Sequence, residues 1–258
     1  MAPSRPETLE LHEPEGAFRS VEDWLRGRGF FEPGGESLQA DLYLGYGLSQ
    51  AIRRTSTPPP PEPCALPLAA CRLVHDGTRR GASVPRPVAI GEWEPTWSDG
   101  DYADAVEEVR DAIAFGDVYQ VNLVQHLSAA CAAEHVMIVD LERNHLSRVC
   151  KPGTGPLARA HGYARADRHP PRGRRPRRPA RRDLPRGSVT GAPKIAAADL
   201  IAGLEPVGRG ASMGALGRVH GNGDFDLALT IRTFAVAGRR AHLWVGGGVV
   251  WDSAGVAG

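Results

Sequence analysis

The sequence predicts a chain of mixed helices and strands, on three observations. Tyr102, Val106, Val109 and Ile113 recur at helical spacing behind Ser98 and Asp99, which suit a helix cap, and Gly116 supplies a stop. Tyr119, Val121 and Leu123 alternate with Gln120, Asn122 and Val124, the period of a strand. Leu227, Leu229 and Ile231 alternate with Ala228, Thr230 and Arg232; Gly238 to Arg240 then turns the chain, and Ala241 to Trp251 returns as a second strand.

The remaining elements follow in order. Ser20 to Arg28 reads as a short helix, and Asp41 to Ile52 as a strand leading into a turn. Pro58 to Pro63 (PPPPEP) reads as a stiff spacer and a boundary. Residues 64–97 read as strands and turns. A second helix is expected from about Ala132 to Val149, with Glu134, Ile138 and Leu141 on one face. Pro193 suits a helix's first turn, and that helix runs on through Ile195 to Leu204 before Pro206. The division expected is a shortened N-terminal region, 1–97, and a second region, 98–258. Residues 156–186 interrupt the latter. They hold eleven arginines and six prolines, with no Ile, Val, Phe, Met or Trp. Such text cannot bury enough apolar surface to offset ordering entropy, so it reads as a disordered or out-of-frame insert.

Composition excludes some classes of function. The formal net charge is +1, which exerts no global pull toward nucleic acid or membrane. The arginines of 156–186 would support only nonspecific, salt-sensitive binding to nucleic acid. No apolar run reaches the length of a membrane span, and the N-terminus lacks a signal pattern, so a cytosolic location is expected. The four cysteines form no CxxC pair and read as free thiols.

Candidate binding residues lie in the C-terminal third. GSVTGAPK (Gly187 to Lys194) precedes a helix, whose N-terminus attracts anions; Thr190 adds a hydroxyl and Gly191 permits a tight backbone. Its glycine–lysine spacing is wrong for a nucleotide phosphate loop, and Ile195 follows where Ser or Thr would be needed. Gly246, Gly247 and Gly248 interrupt a strand, the mark of a bulge, a sheet corner or the close approach of a ligand. Arg232 can hold a carboxylate with a two-pronged hydrogen bond, although alone it reads as a solvent-facing strand residue.

Four segments, taken together and in order, resemble the chorismate-binding family. They are GDVYQVNLVQHL (from Gly116), EHVMIVDLERNHLSRVC (from Glu134), GSVTGAPK, and the stretch from Met213 to Ser253. The resemblance implies an α+β fold with large, mostly antiparallel sheets flanked by helices, here incomplete. It implies chorismate as substrate, held by Thr190, Gly191, Arg232 and the main chain of Gly246–Gly248. It implies Mg2+ as cofactor with Glu134 as a ligand, and a glutamine amidotransferase subunit as ammonia-supplying partner. The YQVNL form resembles the aminodeoxychorismate synthase component I branch, which aminates chorismate on the way to 4-aminobenzoate and folate. The alternatives are the anthranilate synthase component I branch of tryptophan biosynthesis and a non-catalytic remnant that binds chorismate or the amidotransferase.

The departures from that pattern carry equal weight. Only Ser128 to Ala133 joins the first two segments, where the family has a long stretch bearing its general-acid glutamate and, in the aminodeoxychorismate branch, a nucleophilic lysine. Neither Lys151 nor Lys194 stands in such a context. The family's His-containing motif is missing from 156–186, and its second magnesium glutamate would follow Ser253. His145 and Ser212 stand where the family usually has Asp and Tyr. No catalytic residue is therefore assigned, and activity is expected to be crippled or lost, since acid–base help alone is worth roughly 10²–10⁴-fold.

Overall fold

The computed structural model describes residues 7–74, 89–131, 187–231 and 233–254, together with the backbone of 137–140. The elements are β1 (Thr8–Leu11), α1 (Ala17–Arg26), β2 (Gln39–Leu44), a 3-10 turn (Tyr46–Ile52), β3 (Ala69–Val74), β4 (Glu94–Pro95), α2 (Asp99–Phe115), β5 (Gln120–Ala130), β6 (Met137–Asp140), β7 (Gly191–Ala192), α3 (Lys194–Leu204), β8 (Ala215–His220), β9 (Phe225–Leu229), β10 (Thr233–Ala237) and β11 (Arg240–Val249). They form two sheets. The first has the order β1-β3-β2-β8-β9; the second has the order β4-β5-β11-β10-β6, with β7 also paired to β5. All pairings between these strands are antiparallel. The expectation of an α+β fold with antiparallel sheets and flanking helices holds.

The α2 helix forms where its sequence signals place it. Ser98 accepts from the Asp101 N–H, the Asp101 side chain accepts from the Ser98 N–H, and Gly116 closes the helix in the left-handed region. Its inner face packs Val106 and Val109 against Val121 and Leu123 of β5, beside Ala197 and Ile201 of α3. On the other side of the molecule, Val21 and Leu25 of α1 pack with Leu42, Leu44 and Cys71 of the first sheet. A third cluster, including Tyr46, Leu66, Val124, Met213 and Trp244, joins the two sheets. The layers therefore run helix, sheet, sheet, helices.

Three expectations need correction. Residues 137–140 are a strand paired with β10, not part of a helix from Ala132 to Val149; the rest of that segment lies outside the described residues. Apolar residues in the text MIVD satisfy both periods, and the free edge of β10 decides between them. The run from Leu227 to Arg232 is not one strand: β9 ends at Leu229 in the first sheet and β10 begins at Thr233 in the second. The proline run is not a detached spacer, because Pro61 and Glu62 both bond to the 208–210 loop. The first sheet takes β1, β2 and β3 from before residue 97 and β8 and β9 from after it. The 156–186 segment lies outside the described residues.

Candidate functional site

The centre of the molecule is a buried ion pair. Arg209 donates to Glu205 twice, from Nη2 at 2.6 Å and from Nε at 2.9 Å. Its other N–H groups reach the Val189 carbonyl at 2.7 Å, the Met213 sulfur at 3.1 Å and the Asn122 carbonyl at 2.6 Å. A guanidinium has five N–H donors, and all five have acceptors here. The guanidinium also lies over the Tyr46 ring, 4.4 Å from its centre. Glu205 accepts in addition from the Val124 N–H. Burial pushes the Glu205 carboxyl upward, and Arg209 partly opposes it; burial alone would lower the Arg209 guanidinium, but Glu205 and Tyr46 hold it above its ordinary value. This knot fixes β5 against the loop that precedes β7.

The cradle lies beside it. Val121 pairs with Gly191 on one side and with Val249 on the other. One residue along, Asn122 donates its N–H to the Thr190 carbonyl at 2.9 Å, while Gly248 stands opposite it on β11. Thr190, Asn122 and Gly248 therefore lie three abreast, a span of roughly 10 Å at ordinary strand spacing. Gly191 has φ +143°, and a Cβ there would overlap the Gln120 carbonyl oxygen and stand 2.7 Å from Ala197 Cβ. Only glycine fits that position.

The three glycines of β11 are exposed, but they are not equivalent. A Cβ at Gly246 would overlap the Leu123 carbonyl, whereas around Gly247 and Gly248 it would meet nothing within 4 Å. β10 pairs with β11 only from Arg240 to Leu243. Beyond that point, among the described residues, the outer edge of β11 has no strand partner. Bare main chain next to open space results. Arg232 and Glu134, the other two expected ligands, lie outside the described residues.

Reading the residues in sequence missed several polar groups around this cradle. Asn122 Oδ1, Ser212 Oγ and Thr230 Oγ1 are buried without hydrogen-bond partners. They surround the loop whose Met213 N–H donates to Thr230 O and whose Ser212 N–H donates to Arg209 O. Among the described residues no group of three His, Cys, Asp or Glu is placed to hold a metal. Cys64, Cys71 and Cys131 are free, as expected. Burial, with Glu62 beside Cys64 and Asp41 beside Cys71, pushes both of those thiols up to about 12 and leaves them poor nucleophiles. No described helix is long and apolar enough to cross a membrane.

The same sheet holds a histidine pair. His126 Nε2 and His242 Nδ1 are 3.1 Å apart, and Thr96 Oγ1 lies 2.7 Å from His126 Nδ1. Burial, then His242 and Arg240, push His126 down to about 4. The unfolded chain therefore takes up this proton first as pH falls, so the contribution is complete above about pH 6.5 and is lost on the way down to about 4. Urea midpoints are expected to be flat near pH 7 and to decline below pH 6.5. His126→Gln is expected to flatten that upper limb. An unchanged pH profile in the variant would count against this assignment.

The two sheets with flanking helices are a fold shared with solved synthases. Anthranilate synthase component I from Streptococcus pneumoniae TIGR4 superposes with TM-score 0.64 at 18% identity, over 99% of this chain and 89% of that one. MenF, the menaquinone-specific isochorismate synthase from Escherichia coli, gives TM-score 0.57 at 12% identity, over 96% and 79%. Residues 180–255 match the family model described as chorismate binding enzyme. Anthranilate synthase component 1 of Streptomyces coelicolor is 41% identical over 134 residues, 47% of this chain and 26% of that protein. The Thermus thermophilus protein of that name is 38% identical over 131 residues, 47% and 28%. The chain is similar to the chorismate-binding enzymes over these stretches, and its match spans about a quarter of the length of these curated relatives.

Proposed function

We propose that this chain binds chorismate in the cradle as part of an anthranilate synthase component I-like protein, and that it turns the ligand over poorly or not at all. The observation that carries the reading is the Thr190–Asn122–Gly248 row beside a glycine edge that has no strand partner among the described residues. A ring bearing two carboxylates spans such a row. Main-chain N–H groups of Gly246–Gly248 would take one carboxylate, and the Gly191 turn, with the fully buried Thr190 behind it, would back the cradle. Arg232 would hold the other carboxylate with its fork.

The aminodeoxychorismate reading rested on the YQVNL text. The curated relatives with the names above favour the anthranilate branch instead. Glu134 would hold magnesium, which, when bound, supplies charge neutralisation at substrate oxygens. A glutamine amidotransferase subunit would supply ammonia. Poor turnover follows from the missing stretch between Leu127 and Glu134, where the family carries its general acid.

Gly248→Val tests the cradle. The position has open space around it, so the denaturation midpoint is expected to hold within about 0.5 kcal/mol. Chorismate affinity by calorimetry is expected to fall at least tenfold, because the side chain occupies the ligand's place. Incubation with chorismate and ammonia is expected to give no anthranilate above a blank. Absence of saturable binding by the unaltered chain sinks the binding claim, and sustained anthranilate formation sinks the claim of lost turnover.

A further inference from the structure

The proline-rich run grips the loop that carries Arg209. The Pro61 carbonyl accepts from the Gly208 N–H at 2.8 Å, and Glu62 Oε2 accepts from the Gly210 N–H at 2.9 Å. These two bonds bracket Arg209. Glu62 as a residue is exposed, yet its carboxylate is turned inward: a Cβ on Gly208 would stand 2.6 Å from each of its oxygens. Tyr43 donates its hydroxyl to the Gly210 carbonyl at 3.1 Å, and Trp244 donates its indole N–H to the Gly208 carbonyl at 3.0 Å. Flanking prolines restrict the backbone on both sides of Glu62, so the carboxylate is presented at little entropic cost.

We infer that Glu62 is a positioning residue for the cradle, acting through Gly208–Gly210 on Arg209, and through Arg209 on the Val189 and Asn122 carbonyls. The loop has no helix or strand of its own to fix it between α3 and β8. Without the bracket, Arg209 keeps its charge partner but loses its register against β5 and the Thr190 turn. Withdrawal of the Glu62 carboxylate from water, and Glu205 nearby, push it upward, while the Gly210 N–H opposes that shift. The inference deepens the chorismate reading, and only its binding arm rests on that reading.

The test uses the indole N–H signals of a ¹⁵N-labelled chain, which has five tryptophans. Trp244→Phe identifies the Trp244 signal. In Glu62→Ala that signal is expected to move while those of Trp24, Trp93, Trp97 and Trp251 stay. Chorismate affinity is expected to weaken roughly tenfold, the usual effect of losing one hydrogen bond to a charged group. Glu62→Gln keeps an acceptor oxygen and is expected to restore both. A residue that merely stabilised the fold would disturb all the indoles together. If Glu62→Ala does not fold, Gly208→Ala takes its place, since its methyl displaces the carboxylate and is expected to move the same single signal. An unmoved Trp244 signal, or a Gln variant as displaced as the Ala variant, overturns the inference. An unaltered chain without chorismate affinity overturns the proposed function instead, and the indole signals still decide the role of Glu62.

Discussion

Replacing Arg209 by Ala is expected to destabilise the chain by about 3–5 kcal/mol, the usual cost of breaking a buried ion pair from one side. The reason is what remains. Glu205 is left with 2% of its side chain exposed and no cation beside it. The Val189 and Asn122 carbonyls lose the donor they share. Domains of this size are stable by only about 5–15 kcal/mol, so a large part of the total is removed. Arg209→Lys is not expected to rescue, because an ammonium cannot reach three separated acceptors in a planar fork. Replacing both partners, Arg209→Met with Glu205→Leu, is expected to cost less than Arg209→Ala, since no unpaired charge is left inside. Urea denaturation of the four proteins measures this, and equal losses for the single and double variants would contradict the pair's role.

Gly191→Ala is the second large effect. Its φ of +143° is a region that side-chain-bearing residues rarely enter, which costs about 1–3 kcal/mol. The added methyl would also overlap the Gln120 carbonyl and crowd Ala197. Neither obstacle is a flexible side-chain end: one is β5 backbone and the other is a buried residue of α3. Overpacking of that kind adds about 1–3 kcal/mol. The expected outcome is a turn pushed off β5, breaking the Asn122–Thr190 bond, with lost chorismate affinity and a lower melting temperature. Gly248→Val is the control for the melting temperature alone, since it enlarges a glycine of the same cradle where space is open. A Gly191→Ala chain as stable as the unaltered one would show that the turn is not seated as described.

How far the sequence speaks depends on how local each cause is. The α2 helix is legible because its cap, stripe and stop lie within the helix or beside it. Gly191 is legible because the text around it calls for a tight backbone, and its φ of +143° beside the Gln120 carbonyl requires glycine. The strand at 137–140 is not legible, since its partner β10 lies about a hundred residues away. The passage from one sheet to the other at Thr230 is hidden for the same reason: alternation continues smoothly across it. Glu205 and Arg209 stand four residues apart at a helix end, which reads as an ordinary solvated pair. Only the packing of Tyr46, Asn122 and Val189 around them makes that pair the centre of the molecule.

The crossing at Thr230 has a mechanical consequence. Four residues after β9 leaves its place beside β8, the chain is already hydrogen-bonded in the opposite layer. A tether that short leaves almost no slack, so neither layer can drift or peel away without dragging the other. Heating should therefore melt both layers together, with far-ultraviolet and tryptophan signals vanishing in step.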